Sequence, residues 1–454
     1  MMNKLDQLLE SYREDMIATL QKWVQIPSVT GEAAPGAPFG AENRRALDVA
    51  MADCERMGMK TEIFAGYAGH ADLGEGDDYE ALGILAHLDV VPVGDGWTVD
   101  PFGGLVKDGK IYGRGTSDDK GPAISALFAM RAVKQAGIPL KRKVRLILGC
   151  DEEQGSSDMV YYKEHAVMPR SGFSPDAEYP VINIEKGGCH LMIRGKQAGL
   201  KVLEMNVGER ANVVPGFATA LVEGDEALAE KVNEMAKKLP YPVSARMENG
   251  AVRIDTVGVT GHAAMPEHGR NAIGQLVLVL KEMGAEGIVG LLADKIGMTC
   301  YGENLGIAME DEISGKLTCS MDIIRTEGDT VSATMDIRYP VLFNLDAALS
   351  LMQSGMEGYD VVNLHSRKPH YVSADTELVK GLLDVYHDVT GNEKKAIAIG
   401  GGTYAQSMDE GVAFGAQFPG EPEMAHQADE FLSLDSLFGS ARIFARAIVR
   451  LAGK

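Results

Sequence analysis

A histidine and an aspartate, His87 and Asp89, stand at the end of a short apolar segment of the chain. The preceding residues, ALGIL at 81–85, have the composition of a buried strand, which has no evident structural need for an imidazole and a carboxylate at its end. Side chains two residues apart on a strand point to the same side. His87 and Asp89 can therefore reach one point in space, or Asp89 can hold the imidazole ring of His87 from behind.

Three acidic segments further along the chain also lie next to predicted strands or helices. Residues 113–121 (GRGTSDDKG) form a glycine-punctuated loop before a helical pattern, and residues 151–155 (DEEQG) directly follow the apolar segment KVRLILGC. Residues 174–178 (SPDAE) precede the apolar segment YPVINI. Open α/β sheets bind their ligands at the edge formed by the carboxyl ends of the strands. We therefore expect these segments and His87 to lie at such an edge.

Taken singly, each of these features has an ordinary interpretation. A histidine at a strand end is commonly structural, an Asp-Asp-Lys loop is commonly a solvated turn or a helix cap, and Glu152 with Glu153 would be a surface pair in most proteins. Together they favour a cation site, because converging carboxylates repel one another unless a cation compensates them. Histidine nitrogen with carboxylate oxygen is a suitable ligand set for zinc or manganese. A late histidine, His426 in EMAHQADE, is a further candidate.

The elements around these segments predict an α/β fold. Strand-like and helical patterns alternate in the first part of the chain, which predicts a mostly parallel, doubly wound catalytic sheet with helices on both faces. From about residue 190, alternating segments such as SATMDIRYP beside helical patterns predict an α+β unit with an antiparallel sheet. Since 454 residues exceed one ordinary core, we expect a catalytic domain at 1–188 and 371–454 and an inserted lid domain at 189–370.

Composition excludes several classes of partner. The net charge of −21 argues against binding to the phosphate backbone of a nucleic acid. The N-terminal segment MMNKLDQLLESYREDMIATLQKW is an amphipathic helical pattern interrupted by charges, unlike a signal peptide or a membrane span. We therefore expect a cytoplasmic protein without membrane contact. The five cysteines contain no CxxC pair, which favours free thiols over disulfides.

Six motifs, taken in order, resemble those of a known enzyme family. They are AHLDVVP, GWTVDPF, GRGTSDDKG, DEEQG, SPDAEYP and MAHQADE. Their order and separations resemble the two-metal peptidase family that includes aminoacylase, carboxypeptidase G, peptidase T and succinyl-diaminopimelate desuccinylase. The resemblance is closest to the bacterial dipeptidase V branch and covers nearly the whole chain. Each motif alone is unspecific, whereas their conjunction is highly specific.

The resemblance implies two divalent metal ions, with Zn²⁺ as the first choice and Mn²⁺ or Co²⁺ as alternatives. The implied ligands of one ion are His87, Asp118 and Asp176, and those of the other are Asp118, Glu153 and His426. The carboxylate of Asp118 would bridge the two ions. The family pattern Asp-x-Lys-Gly selects Asp118 over its neighbour, and it implies a cis peptide bond after Asp118.

The resemblance also assigns residues to catalysis and to substrate binding. Glu152 matches the general base, which would take a proton from a water molecule between the two metals. Asp89 would orient His87, and His262 in TGHAAMP would stabilise the oxyanion. The residues implied in substrate binding are Asn212, Arg338, Gly401 and Thr403. Arg338 would grip the terminal carboxylate of the substrate, since a guanidinium donates two parallel hydrogen bonds.

The function implied by the resemblance is hydrolysis of unblocked dipeptides by a metallopeptidase. The nearest alternative is an N-acyl-amino-acid amidohydrolase of the same family, such as a deacetylase or a desuccinylase. A metal-binding scaffold without catalysis is a remote alternative, because every expected ligand and Glu152 are present. Relatives in the dipeptidase V branch have an enlarged lid that replaces a partner subunit, and the region at 190–370 is of this longer kind. We therefore expect a monomer.

Overall fold

A computed structural model describes residues 2–454 of the chain, and eleven α-helices lie in this range. In chain order they are α1 Met2–Ser11, α2 Arg13–Val24, α3 Ala41–Arg56, α4 Lys120–Ala136, α5 Ser157–His165, α6 Glu226–Ala236, α7 Ala272–Glu282, α8 Ile288–Lys295, α9 Leu345–Gly355, α10 Glu377–Thr390 and α11 Leu434–Ala452. None of the helices between residues 2 and 454 combines the length and the apolar composition that a transmembrane helix needs.

The strands are numbered along the chain in the same way. The first nine are β1 Lys60–Phe64, β2 Ala68–Leu73, β3 Leu82–His87, β4 Leu105–Lys107, β5 Lys110–Tyr112, β6 Val144–Gly149, β7 Ser171–Ser174, β8 Ala177–Glu178 and β9 Ile182–Glu185. The next nine are β10 Gly187–Gly199, β11 Val202–Glu204, β12 Val213–Val214, β13 Phe217–Val222, β14 Val243–Glu248, β15 Ala251–Val257, β16 Gly261–His262, β17 Ala285–Gly287 and β18 Glu310–Asp311. The last nine are β19 Gly315–Lys316, β20 Thr318–Glu327, β21 Thr330–Tyr339, β22 Asp360–Arg367, β23 His370–Tyr371, β24 Ile397–Ile399, β25 Glu410–Ala413, β26 Ala416–Gln417 and β27 Phe431–Ser433.

Contacts between residues divide the chain into two compact units. The first unit extends to Ile184 and also contains Val372–Ile397 and Gly402–Lys454, while the second contains Glu185–Tyr371 and Ala398–Gly401. The assignment of 189–370 as a lid domain and of the remainder as a catalytic domain stays a prediction.

The main sheet of the first unit has a parallel centre and antiparallel flanks. Seven of its strands follow the order β1-β2-β6-β3-β7-β25-β9. The pairs β6–β3, β3–β7 and β7–β25 are parallel, whereas β1–β2, β2–β6 and β25–β9 are antiparallel. The carboxyl ends of the parallel strands therefore lie side by side, and His87 is the register partner of Gly149.

Apolar side chains of this sheet pack on both faces. Neighbouring side chains of β3 point to opposite faces of the sheet. Ile84 belongs to a large cluster with residues of α4 and α11, while Leu85 belongs to a smaller cluster with Tyr162 of α5. This alternation follows from the two-residue period of a strand. All six residues of β3 and all six of β6 are buried, as expected for strands covered on both sides.

The second unit is α+β with antiparallel sheets. One sheet follows the order β17-β10-β21-β20, with β22 also pairing with β10, and the other follows β11-β13-β15-β14. All the pairs in these two sheets are antiparallel. A separate apolar cluster includes residues of helices α6 to α9, so this unit has its own core. The predicted α/β fold class with an α+β insertion is confirmed.

Candidate metal centre

The fold brings the acidic segments and the two candidate histidines, His87 and His426, to the edge formed by the carboxyl ends of the parallel strands. His87 is the last residue of β3, and Glu152 and Glu153 lie in a 3-10 turn shortly after β6. Asp176 follows β7, and Asp118 lies in the loop before α4. This placement follows from the parallel strand order, because a loop after each strand opens at the same edge. The peptide bond between Asp118 and Asp119 is cis.

Asp118 lies between the two histidines and contacts each with a different oxygen. Its Oδ1 lies 2.9 Å from Nε2 of His87, and its Oδ2 lies 3.1 Å from Nε2 of His426. Nε2 of His87 also lies 3.5 Å from Oδ2 of Asp176, and Nε2 of His426 lies 3.1 Å from Oε1 of Glu153. The two histidines thus define two adjacent groups that share the carboxylate of Asp118.

Glu152 belongs to the same cluster. Candidate ligand atoms of His87, Glu152 and Asp176 lie within 4.8 Å of one another, and so do those of His87, Asp118 and Glu153. This donor set fits a divalent cation, because imidazole nitrogen and carboxylate oxygen are suitable ligands for zinc and manganese.

The pKa shifts in the cluster also favour a bound cation. Burial raises the pKa of Glu152 well above its ordinary value, and the negative charge of Asp176 raises it further. Burial likewise raises the pKa of Asp176, with the charge of Asp118 adding to it. Hydrogen bonds to Asp118 and Glu153 raise the pKa of His426 to about 10. A divalent cation would reverse these directions, since it favours ionised carboxylates and neutral imidazoles. The described residues therefore include a fitting cation centre.

Asp89 contacts both His87 and the turn that carries the two glutamates. Nδ1 of His87 lies 3.0 Å from the backbone carbonyl oxygen of Asp89 and 3.4 Å from its carboxylate. A carbonyl only accepts, so Nδ1 carries the proton and Nε2 faces the carboxylates as a potential ligand. The carboxylate of Asp89 also accepts the backbone N–H groups of Glu152, at 3.2 Å, and Glu153, at 3.1 Å. Asp89 therefore fixes the acidic turn, a contact that the sequence did not predict.

Two further buried groups support this edge of the sheet. The carboxylate of Asp158 accepts the backbone N–H groups of Cys150, at 2.6 Å, and Asp151, at 3.0 Å, and it accepts the hydroxyl of Tyr404. Nζ of Lys120 donates to the carbonyl oxygens of Trp23 and Ile26 at 3.1 and 2.9 Å. Asp158 thus holds the start of the acidic turn, and Lys120 ties the end of α2 to the start of α4.

Asn212 and His262 lie together in the second unit. Strands β12 and β16 pair so that Val213 is the register partner of His262, and the N–H of Ala263 donates to the carbonyl of Asn212 at 3.0 Å. Nδ1 of His262 accepts the N–H of Ala264 at 3.0 Å. Because Nδ1 is the acceptor, the ring carries its proton on Nε2. The side chain is exposed, so this N–H is available as a donor.

Arg338 already has partners within the second unit. Its Nε and Nη2 each donate to a carboxylate oxygen of Asp336 at 2.6 Å, and Nη1 donates to the carbonyl of Gly400 at 3.2 Å. These contacts use three of the five guanidinium N–H groups and leave one on each terminal nitrogen. A carboxylate can be gripped only by this remaining pair.

Arg367 is a residue that the sequence did not single out. Its Nη2 donates to the carbonyls of Gly401 at 2.9 Å, Lys186 at 3.1 Å and Gly400 at 3.3 Å. Arg338 and Arg367 therefore hold the same glycine turn by its carbonyl oxygens. Thr403 follows this turn and belongs to the first unit. Its Oγ1 accepts the N–H of Ala405 at 3.1 Å. No sequence signal distinguishes Arg367, because its hydrogen-bond partners are backbone carbonyl oxygens and the carboxylate near its Nη1, that of Glu185 at 4.0 Å, is distant along the chain.

Comparisons with known proteins agree with the motif resemblance. Residues 83–450 match the model described as Peptidase family M20/M25/M40. A Bacillus subtilis protein named "Putative dipeptidase YtjP" is 39% identical over 455 residues, covering 97% of this chain and 98% of its own. The Beta-Ala-Xaa dipeptidase of Lactobacillus delbrueckii subsp. lactis is 34% identical over 461 residues, covering 98% of this chain and 97% of its own.

Solved structures share the fold. The crystal structure of human carnosine dipeptidase 1 has a TM-score of 0.62 at 16% identity, with 99% of this chain and 98% of that chain covered. Aminopeptidase PepT from Bacillus cereus has a TM-score of 0.56 at 16% identity, with 97% and 98% covered. At these identities the likeness concerns the fold alone. The extent of the family match and the identity to full-length relatives confirm the predicted family, and the chain therefore belongs to the peptidase family M20/M25/M40.

Proposed function

We propose that this protein is a metal-dependent dipeptidase that hydrolyses the amide bond of unblocked dipeptides. The observation that carries the proposal is the position of Glu152 beside two histidine–carboxylate groups that share Asp118. The names of the relatives, a putative dipeptidase and a Beta-Ala-Xaa dipeptidase, support the substrate class.

Two divalent ions would be held by His87, Asp118 and Asp176 and by Asp118, Glu153 and His426. We propose Zn²⁺ as the resident ion, with Mn²⁺ and Co²⁺ as alternatives, because all three accept imidazole and carboxylate ligands. When bound, such ions lower the pKa of a water molecule towards neutrality and polarise an amide carbonyl.

The protein's own groups move the proton and hold the substrate. Glu152 takes a proton from the attacking water as the new C–O bond forms, and it delivers that proton to the departing amine nitrogen as the C–N bond breaks. The N–H on Nε2 of His262 donates to the developing oxyanion. The free N–H pair of Arg338 grips the terminal carboxylate. Asn212 contacts the backbone of the substrate, and the turn with Gly401 and Thr403 offers backbone N–H groups to the same carboxylate.

We also propose a cytoplasmic monomer. All five cysteines are free, which fits a compartment that keeps thiols reduced. The long second unit resembles lids that replace a partner subunit. Sedimentation of the purified protein at several concentrations tests the oligomeric state, and a concentration-independent mass of one chain is the expected result.

One experiment tests the activity and the metal together. The protein is stripped with a chelator, dialysed, and reloaded with Zn²⁺, Mn²⁺ or Co²⁺ singly. Each form is assayed on alanyl and β-alanyl dipeptides, on their N-acetylated counterparts, on tripeptides and on N-acetyl amino acids. Restored cleavage of free dipeptides alone is expected. Cleavage of N-acetyl amino acids without cleavage of dipeptides would overturn the proposal in favour of an N-acyl-amino-acid amidohydrolase.

A further inference from the structure

A buried carboxylate, Glu430, lies behind the loop that carries Asp118. It accepts backbone N–H groups from Ser117 at 2.8 Å, from Gly115 at 3.1 Å and from Asp118 itself at 3.3 Å. It also accepts Nη1 of Arg114 at 2.7 Å. Glu430 has no exposed surface and Arg114 is 2% exposed, so this is a fully buried ion pair. The pair fixes the backbone on which the shared carboxylate is mounted.

The same arginine reaches the backbone that carries the second histidine. Nη1 of Arg114 also donates to the carbonyl of Gln427 at 3.2 Å, and its Nη2 lies 3.4 Å from the carbonyl of His426 and 3.2 Å from that of Val93. The guanidinium lies 5.2 Å from the ring centroid of Trp97, within the range of a cation–π contact. One guanidinium thus connects two segments that lie more than 300 residues apart in the chain.

The segment 426–429, which carries the second histidine, has an unfavourable backbone conformation that contacts such as those of Arg114 stabilise. His426 has φ of 64° and Asp429 has φ of 56°, both in the left-handed region that side chains other than glycine seldom adopt. Residues in this region persist where the surrounding structure fixes them. A second contact acts on the same segment, because the carboxylate of Asp429 accepts the N–H and the hydroxyl of Thr98 at 2.8 and 2.7 Å.

We propose that Arg114 and Glu430 are positioning residues that hold Asp118 and His426 at the separation required to share one cation. This inference rests on the proposed metal site. Neither side chain is a ligand, since Glu430 uses its oxygens on Arg114 and on backbone N–H groups. The pair supports the backbone of two of the three ligands of one ion, Asp118 and His426, but of only one ligand of the other ion, the shared Asp118. It therefore acts on the ion held by Asp118, Glu153 and His426 more than on the ion held by His87, Asp118 and Asp176.

An ordinary stabilising role is the competing explanation, and the chain offers a matched control. Arg145 and Asp72 form another buried pair in the same unit, with Nε and Nη2 each donating to a carboxylate oxygen at 2.8 Å. Arg145 lies in the first half of β6, whereas the acidic turn follows the end of that strand. Breaking this pair removes a buried ion pair of the same class without touching the backbone of a proposed ligand.

The experiment compares Glu430→Gln with Asp72→Asn in the full-length protein. The stripped proteins are titrated with Co²⁺ and with Zn²⁺ against a competing chelator, and the visible absorption spectrum of Co²⁺ reports each site. Thermal unfolding of the metal-free proteins is measured in parallel. We expect wild type to bind two ions. In Glu430→Gln, the dissociation constant of one of the two ions should rise about 10- to 100-fold, which is typical of groups that orient ligands. Asp72→Asn should leave both dissociation constants unchanged.

The outcomes separate this inference from the proposed function. Two unchanged dissociation constants in Glu430→Gln, with only a lower unfolding temperature, would overturn the positioning role and leave the dipeptidase proposal standing. Failure of wild type to bind two ions would overturn the metal site and this inference with it. If Glu430→Gln does not fold, Arg114→Lys keeps the positive charge but loses the planar fork. That variant should raise the dissociation constant of the same ion, and two dissociation constants unchanged from wild type would overturn the inference.

Discussion

In the first unit, carboxylates and histidines of the candidate centre lie against one another, and the pKa values of Glu152 and Asp176 are raised because burial and neighbouring negative charge disfavour ionisation. The second unit presents its polar groups differently. Arg338 is paired with Asp336, and His262 accepts an N–H from its own turn. The first cluster has the donor set for a compensating cation, whereas these groups of the second unit already have partners and retain spare N–H donors.

This difference separates two kinds of contribution to the proposed reaction. Groups in the first unit should determine whether metal is held and whether the proton can move. Groups in the second unit should act on the substrate and on the transition state without changing metal affinity, because they are preorganised donors. Variants that alter one property without the other test this division.

The largest effect is expected from Glu152→Gln. The amide keeps the size of the side chain but cannot take a proton, so kcat on a dipeptide should fall by about 10²- to 10⁴-fold. Because Glu152 is not a proposed ligand, the variant should still bind two ions in a chelator competition. Glu410→Gln, which removes the partner of Arg170 away from the centre, is the control and should retain activity. Undiminished turnover by Glu152→Gln would show that another group is the base.

A somewhat smaller loss is expected from His262→Ala. Removal of one oxyanion donor should lower kcat by about 10²- to 10³-fold, with metal affinity unchanged. His268, which is exposed in the 3-10 turn just after this residue, provides the matched control His268→Ala. A loss of metal affinity in His262→Ala would contradict the division between the two units. So would equal losses of activity in the two variants.

The sequence predicted the strand-end residues well because they depend on local pattern. The apolar segments at β3 and β6 are strands, and the helical pattern after Asp118 is α4, so the loops between them open at one edge. The alternating pattern at SATMDIRYP also corresponds to a strand, β21. The centre of the sheet is parallel as expected, while its flanks are antiparallel. The roles of individual side chains at this edge stay predictions.

Contacts between distant segments could not be predicted from the sequence. Arg114 and Glu430 lie within quoted motifs, yet a charged residue in a motif carries no signal of its partner 316 residues away. Arg367 donates to carbonyl oxygens, which every residue possesses, so residue types give no clue. The paired state of Arg338 was missed for a related reason. Asp336 was visible two residues before it, but only the structure shows that the two side chains join.

The contacts of Arg338 lead to a prediction about the substrate carboxylate. Arg338→Lys keeps the charge but loses the fork, so kcat/KM for a dipeptide should fall about 10- to 100-fold, mainly through KM. A dipeptide amide lacks the carboxylate, and it should be cleaved by wild type and by Arg338→Lys with similar efficiency. Lys368→Met alters another basic side chain of the second unit and should change neither substrate. Equal losses on the acid and the amide would assign Arg338 a different role.

The smallest expected effect concerns two buried titratable groups, one in each unit. Burial lowers the pKa of His70 to about 4, and Nδ1 of its ring lies 2.8 Å from the hydroxyl of Tyr162. Burial raises the pKa of Asp322 to about 8, with the charge of Asp336 adding to it. Oδ1 of Asp322 accepts the hydroxyl of Ser320, whereas Oδ2 has no hydrogen-bond partner among the described residues.

These shifts affect stability with opposite signs. The unfolded histidine gains a proton as pH falls below about 6.5 while folded His70 stays neutral, so its contribution to stability is lost between pH 6.5 and 4. The unfolded aspartate loses its proton above about pH 4 while folded Asp322 keeps it, so stability is lost as pH rises from 4 to 8. Asp322→Asn should therefore raise the free energy of unfolding of metal-stripped protein by about 1–3 kcal/mol more at pH 8 than at pH 5. His70→Gln should raise the free energy of unfolding more at pH 5 than at pH 8. Urea unfolding at the two pH values measures the free energy of unfolding of both variants. A difference of the same sign in the two variants would contradict the assignment, because an ionised Asp322 or a charged His70 would then already be present in the folded protein.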